Sequence, residues 1–151
     1  MTSLVKDGTH GTHKEHAGGI PLLSAKDINH GTVVLNNSPR LISEAEFNSI
    51  HKGYSLRNND ILLTIVGSLG RVAILQNYHD NFTFQRSVAI LRFKDSICAK
   101  YMYYVLTDWR FQKELLKRES KGAQGGVYLG EIAKIKLTLP EKPEQERIVG
   151  V

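Results

Sequence analysis

Leu56 to Ala73 constrains this chain more than any other stretch. Asn58, Asn59 and Asp60 are turn formers, and the run Ile61 to Val66 is β-branched and aliphatic throughout, the pattern of a strand buried on both faces. Gly67-Ser68-Leu69-Gly70 frees the backbone to turn sharply, and Arg71 leads into a second apolar run, Val72 to Leu75. The expectation is a central hairpin with a small, polar, cationic tip.

The 151 residues, 41% hydrophobic, suffice for one core in one domain of ordinary size. Lys plus Arg number 20 against 15 Asp plus Glu, a net charge of +5, which favours phosphate-rich partners. The excess is regional: residues 86 to 121 hold nine Lys or Arg against four Asp or Glu. The single cysteine, Cys98, has no partner for an internal disulfide and reads as a packed thiol near a helix start in a reducing compartment. No stretch approaches the ~20 consecutive apolar residues of a membrane helix, and the first residues lack a signal-peptide core. A cytoplasmic protein is expected.

Around the hairpin, residues 1 to 19 read as a polar, glycine-punctuated loop. His10, His13 and His16 recur every third residue, but no Cys or carboxylate cluster completes a ligand set, so no metal is expected. Thr, His and Lys on such a loop suit polar contact with a partner, with His13 and Lys14 as the candidates. Ile20 to Ser24 and Thr32 to Leu35 read as a hairpin-like strand pair joined by a broad turn. Ser43-Glu44-Ala45-Glu46 reads as a capping box opening a helix from about Glu44 to His51. Phe82 to Phe93 alternates as one long strand or two short ones, interrupted at Gln85-Arg86-Ser87, and Gln and Arg are the side chains suited to bidentate contacts with adenine and guanine.

From Lys100 to Glu119 the pattern predicts two consecutive helices, divided near Thr107-Asp108, with Tyr101, Tyr104, Trp109, Phe111, Leu115 and Leu116 anchoring them to a sheet. Glu119 to Tyr128 is a second glycine-rich polar segment, in which Lys121, Gln124 and Tyr128 can address a surface; no Gly-Lys-Ser or Gly-Lys-Thr follows, so it is not a nucleotide-hydrolase phosphate loop. A helical turn is expected over Leu129 to Ala133 and a strand over Lys134 to Pro140. A helix starting near Pro143 has little chain left to run in, so the sequence reads as a fragment cut on its C-terminal side, or one followed by a short remainder.

Several of these stretches together resemble the target recognition domain of type I restriction-modification specificity subunits. The likeness is carried, in order, by Gly19 to Ile28, Leu56 to Thr64 with Gly67 to Arg71, the aromatic helices with their glycine-rich exit, and Leu139-Pro140 followed by Glu144 to Ile148. The resemblance covers nearly the whole chain. Each motif is weak singly, and their ordered set is fairly specific. It implies a DNA-reading component partnering methyltransferase and restriction subunits, with residues 1–139 as the recognition domain and 140–151 as the start of a spacer helix. It further implies one half of a two-domain subunit, or a half-length version pairing through that helix, with trimming ahead of Asp7 as well.

The fold expected is α+β, a twisted, mostly antiparallel sheet core with short flanking helices in a single unit. No catalytic constellation is found: the base-flipping Asn-Pro-Pro-Phe type of tetrad, a cofactor turn, clustered carboxylates and a histidine beside Cys98 are all missing, so neither enzymatic activity nor a cofactor is expected. Duplex DNA binding then rests on His13, Lys14, Ser24, Lys26, Ser68, Arg71, Gln85, Arg86, Lys121, Gln124 and Tyr128 gathering on one face. The alternative is a protein-interaction module docking an acidic partner through the same basic face. RNA binding ranks lower, because the aromatics fall on helical faces or alternate in strands rather than forming a stacking platform.

Overall fold

A computed structural model describes residues 1–122 and 125–151. Four strands form its main sheet in the order β1 (Thr2–Asp7), β9 (Val88–Phe93), β6 (Ile61–Thr64) and β7 (Val72–Ile74), all adjacent pairs antiparallel. The strand expected to be central is central, and all four of its residues are buried. A smaller sheet runs β5 (Arg40–Ile42), β2 (Ile20–Leu23), β8 (Thr83–Phe84), with β2 and β8 parallel. β3 (Ile28–Asn29) and β4 (Thr32–Val33) make a two-stranded ribbon.

Because side chains alternate across a strand, β6 divides the core into two halves. Ile61, Leu63 and Ile65 face a layer containing Met102, Leu106, Phe111 and Leu115, from α2 (Ala99–Thr107) and α3 (Trp109–Lys117). Leu62 faces the opposite way, into Leu23, Ile28, Phe82 and Phe84 on the small-sheet side. Ala89 and Leu91 of β9 join the first half, and Val88 and Ile90 the second. The molecule is thus α+β in three layers: helices, main sheet, small sheet. Asp108 ends α2 and caps α3, its carboxylate accepting from the Arg110 amide at 2.9 Å, which is where the two helices were expected to divide.

Several expectations are corrected. The first residues are not all loop: Thr2–Asp7 is an edge strand whose partners lie in β9. Ile20–Leu23 does not pair with Thr32–Val33; it pairs with β5 and β8, while Thr32–Val33 turns back on β3. Lys134 to Pro140 alternates as expected, with Ile135, Leu137 and Leu139 packed on the helix-side core, yet it forms no strand and pairs with none of the described sheets. Tyr104, Trp109 and Leu116 are exposed rather than packed, since Met102, Leu106, Phe111 and Leu115 already occupy the faces that α2 and α3 turn to the sheet.

Ser43 caps α1 (Glu44–Ile50) by accepting from the Glu46 amide at 3.1 Å, but Glu46 does not close the box, because its carboxylate pairs with His13. α4 spans Leu129–Ile132 and α5 spans Lys142–Val149. Gln145 of α5 is fully buried, its Oε1 accepting from the Cys98 amide at 2.9 Å and its Nε2 donating to the Pro140 carbonyl at 2.8 Å, so α5 is fastened to the start of α2.

Candidate nucleic-acid interface

One end of the main sheet, the end at which Thr64 stops, collects the loops of interest. Gly8 and Thr9, leaving β1, bond to the Val88 and Phe84 carbonyls at 3.0 and 2.8 Å, and the Arg86 amide returns a bond to the Thr9 carbonyl at 3.0 Å. The Gln85 amide bonds to the Leu23 carbonyl at 2.7 Å, fixing the Gln85 to Ser87 turn against the end of β2. Ser87 then holds two further segments: its hydroxyl accepts from the Ala25 amide at 3.0 Å and its carbonyl from the Ile65 amide at 2.9 Å. The Ile65 carbonyl accepts from Val127 at 2.9 Å, bringing in the glycine-rich exit of the helices. Five chain segments distant in sequence are tied into one surface by backbone groups that would otherwise lie unpaired.

The hairpin tip is set by Thr64, which has no exposed surface. Its hydroxyl donates to the Ser68 carbonyl and accepts from the Arg71 amide at 2.8 Å. Gly67 and Gly70 stand at φ +77° and +89°, the left-handed region that glycine enters without strain. Gln112 of α3 donates to the Gly70 carbonyl at 2.8 Å and to the Leu106 carbonyl at 2.7 Å, so the helical layer grips the tip directly.

On this frame Ser68, Arg86 and Lys26 are exposed, Lys26 riding on a single 3₁₀ turn, Ala25–Asp27, and Ser24 and Gln85 are half-buried. The Ser24 amide bonds to the Asp27 carboxylate at 2.9 Å, which Asn36 also reaches at 2.9 Å, so the acid of the turn is committed inward while its lysine points out. Arg86 and Tyr128 share a cleft of about 340 Å³ with Asp7, His10, Val66 and Ser120; Tyr128, at the start of α4, is 72% exposed. His10 pairs with Asp7 at 2.6 Å on that rim. Lys121 is exposed on the adjoining segment, and Gln124 lies outside the described residues.

Three candidates are placed differently. His13 is buried, its Nδ1 against the Glu46 carboxylate, and it braces the loop onto α1 instead of projecting from it. Lys14 is exposed beside it, on a segment bonded to β5 through Leu41. Arg71 is exposed, yet its Nη1 donates to Asn29 Oδ1 at 2.9 Å and to the Ile28 carbonyl at 3.3 Å. Sequence reasoning passed over the residues that hold the surface: Thr64, Ser87, Gln112 and Asn29. The signal for the first two was a hydroxyl ending or interrupting an apolar run; nothing local marked the others.

The regional basic excess is partly neutralised in the fold. Arg92 forms a bidentate pair with buried Asp60 at 2.7 and 2.8 Å, far from the loop surface, and Glu114 holds Lys117 and Arg118 at 2.8 and 2.9 Å. Hydrogen bonds from Lys117 and then Arg118 keep the Glu114 carboxyl ionised down to a pKa of about 2. Among the described residues, no three metal-ligating side chains are grouped and no helix is long and apolar enough to cross a membrane.

Fold and surface together give a two-sided core with polar and cationic loops fastened at one end. The chain belongs to the type I restriction modification DNA specificity domain family, whose profile matches residues 7–151. It is 30% identical over 132 residues to the type I restriction enzyme EcoBI specificity subunit of Escherichia coli, covering 87% of this chain and 27% of that protein. Its fold is shared with the HsdS subunit from Thermoanaerobacter tengcongensis (TM-score 0.61, 21% identity, 97% of this chain and 33% of that one). A type I restriction-modification S subunit from M. genitalium is also similar (TM-score 0.58, 18% identity, 97% and 34%). The chain therefore spans about a third or less of the length of these relatives.

Proposed function

We propose that the loop-bearing end of the sheet binds double-stranded DNA and reads its sequence, with the chain serving as one target recognition domain of a type I specificity subunit. The observation that carries this reading is the bonded cluster itself, which mounts Ser24, Lys26, Ser68, Gln85, Arg86 and Tyr128 on one end of a rigid sheet. Cations there attract phosphates by displacing counterions, and Gln85 and Arg86 have the donor and acceptor geometry to address base edges in the major groove. In this reading α5 begins the spacer that meets a second recognition domain, and the assembled subunit directs methyltransferase and restriction subunits to the site in the cytoplasm. The chain itself supplies recognition rather than catalysis.

The test is titration against duplexes of equal length and charge but different sequence. Replacing Arg86 or Gln85 by Ala should relax base choice, each good contact contributing roughly 1 to 3 kcal/mol, whereas Lys121→Ala should weaken all sequences alike. Binding without any sequence preference would overturn the reading. It would favour the second one, docking of an acidic protein through the same basic face, whose exposed cations Lys26, Arg86 and Lys121 are the supporting observation.

A further inference from the structure

Arg71 is the cation nearest the hairpin tip and, by residue type, the natural reader of a guanine. Its contacts tell against that use. We infer that Arg71 is a positioning residue that acts on DNA through the turn carrying Lys26, an inference that rests on the recognition reading above.

The turn is held from both sides. On one side the Ala25 amide donates to the Ser87 hydroxyl at 3.0 Å. On the other, Asn29 uses both ends of its amide: Nδ2 donates to the Lys26 carbonyl at 2.8 Å, and Oδ1 accepts from Arg71 at 2.9 Å. The two bonds together fix which way the amide faces, since only oxygen can accept from a guanidinium. Arg71 Nη1 also donates to the Ile28 carbonyl at 3.3 Å, the next residue after the turn. A hydrogen bond from a charged donor is stronger than a neutral one, so a guanidinium suits a brace that joins segments more than forty residues apart in sequence.

The neighbourhood supports the same role. The Ile74 amide bonds to the Gly31 carbonyl at 3.3 Å, and the Tyr103 hydroxyl of α2 lies 2.5 Å from where a Cβ on Gly31 would fall, so the turn of the ribbon β3–β4 is packed against both the strand that Arg71 introduces and the helical layer. Arg71 itself is held by its own amide on Thr64 and by the Gly70 carbonyl on Gln112. The chain of contacts runs from the helical layer through the hairpin tip and Arg71 to Asn29 and the Lys26 turn. Lys26 gains a fixed position, and the guanidinium is occupied in giving it one.

The test separates bracing from direct reading by cutting the brace at its other end. Duplexes randomised over a central window are selected with the wild-type chain, Arg71→Ala, Asn29→Ala and the double variant, each checked for folding by circular dichroism melts. Asn29→Ala leaves the Arg71 charge in place. If Arg71 acts through the turn, Asn29→Ala and Arg71→Ala flatten the same base positions by about tenfold, and the double variant flattens them no further. Arg71→Ala shifting the selection while Asn29→Ala matches wild type overturns the inference and makes Arg71 a direct reader; Arg71→Ala matching wild type overturns it as well. Should Arg71→Ala not fold, Asn29→Ala decides alone, a wild-type selection pattern counting against the inference. A wild-type chain that selects no sequence overturns the recognition reading itself, an outcome distinct from the others.

Discussion

The two ends of β6 are built from different chemistry. At its start, Asp60 is 1% exposed and receives the bidentate Arg92 guanidinium together with the Arg57 amide at 2.8 Å, and Arg92 also reaches the Ser55 carbonyl at 2.7 Å. At its finish, Thr64 is equally buried, but it holds the tip with one neutral hydroxyl, and the arginine there braces a loop instead of filling a buried pair. One end is closed by an ion pair whose carboxylate is buried and whose guanidinium is 19% exposed; the other leaves its cations at the surface. The contrast shows why arginine count alone says little about where a basic protein binds.

If that division holds, breaking the closed end should harm stability without touching recognition. Asp60→Ala leaves Arg92 partly buried with no carboxylate and should cost about 3 to 5 kcal/mol in urea unfolding. Duplex selection by the surviving folded protein should be unchanged. A shift in base preference would mean that the two ends are coupled through β6.

Thr64→Val is the matching cut at the other end. It preserves shape but strips the Ser68 carbonyl of a donor and the Arg71 amide of an acceptor, so a loss of about 1 to 3 kcal/mol is expected. Unlike Asp60→Ala, it should weaken recognition of the preferred duplex along with stability. Gly70→Ala should cost roughly 1 to 2 kcal/mol, since alanine is strained at φ +89° and its Cβ would meet the Gln112 Oε1 at 2.2 Å. Gly67→Ala has open space and should cost less, so equal melting temperatures for the two would count against the Gln112 grip.

Much of this was legible. Six successive aliphatic positions from Ile61, with one threonine among them, permit little besides a doubly buried strand, and glycines at the tip permit little besides a hairpin. β1 was not legible, because Thr-Ser-Leu-Val-Lys-Asp has too few apolar residues to signal a strand, and its pairing is supplied by β9 some ninety residues later. Lys134 to Pro140 shows the converse: alternation reports which side chains are covered, not whether a neighbouring backbone is there to bond. The loops of the candidate interface could be named from composition. Who holds whom within them could not, because Arg71 to Asn29 and Gln112 to Gly70 are contacts between segments with no shared pattern.

The smallest expected effect concerns a group behind the interface, and its sign can be worked out. His51, at the end of α1, has Nδ1 against the Tyr54 carbonyl at 3.3 Å and Nε2 against the Thr83 hydroxyl at 2.8 Å, two residues ahead of the Gln85 turn. A carbonyl only accepts, so Nδ1 carries the proton and Nε2 accepts from Thr83. Burial lowers the imidazole pKa below 6.5, outweighing the opposing pull of the Tyr54 carbonyl and the Asp80 charge. The unfolded chain therefore binds this proton more readily than the folded one. Above the unfolded value neither state is protonated and His51 adds no pH dependence. As pH falls through about 6.5, stability drops, by at most about 1.4 kcal/mol per pH unit and by less for a half-buried ring, and the loss levels off below the folded pKa. Urea midpoints of wild type and His51→Gln, compared from neutral to mildly acidic pH, should converge as the wild type loses stability that the variant does not lose. Parallel curves would show that the ring is protonated equally in both states, and that the neutral, surface-facing chemistry of the interface end does not extend behind Thr83 to the α1 terminus.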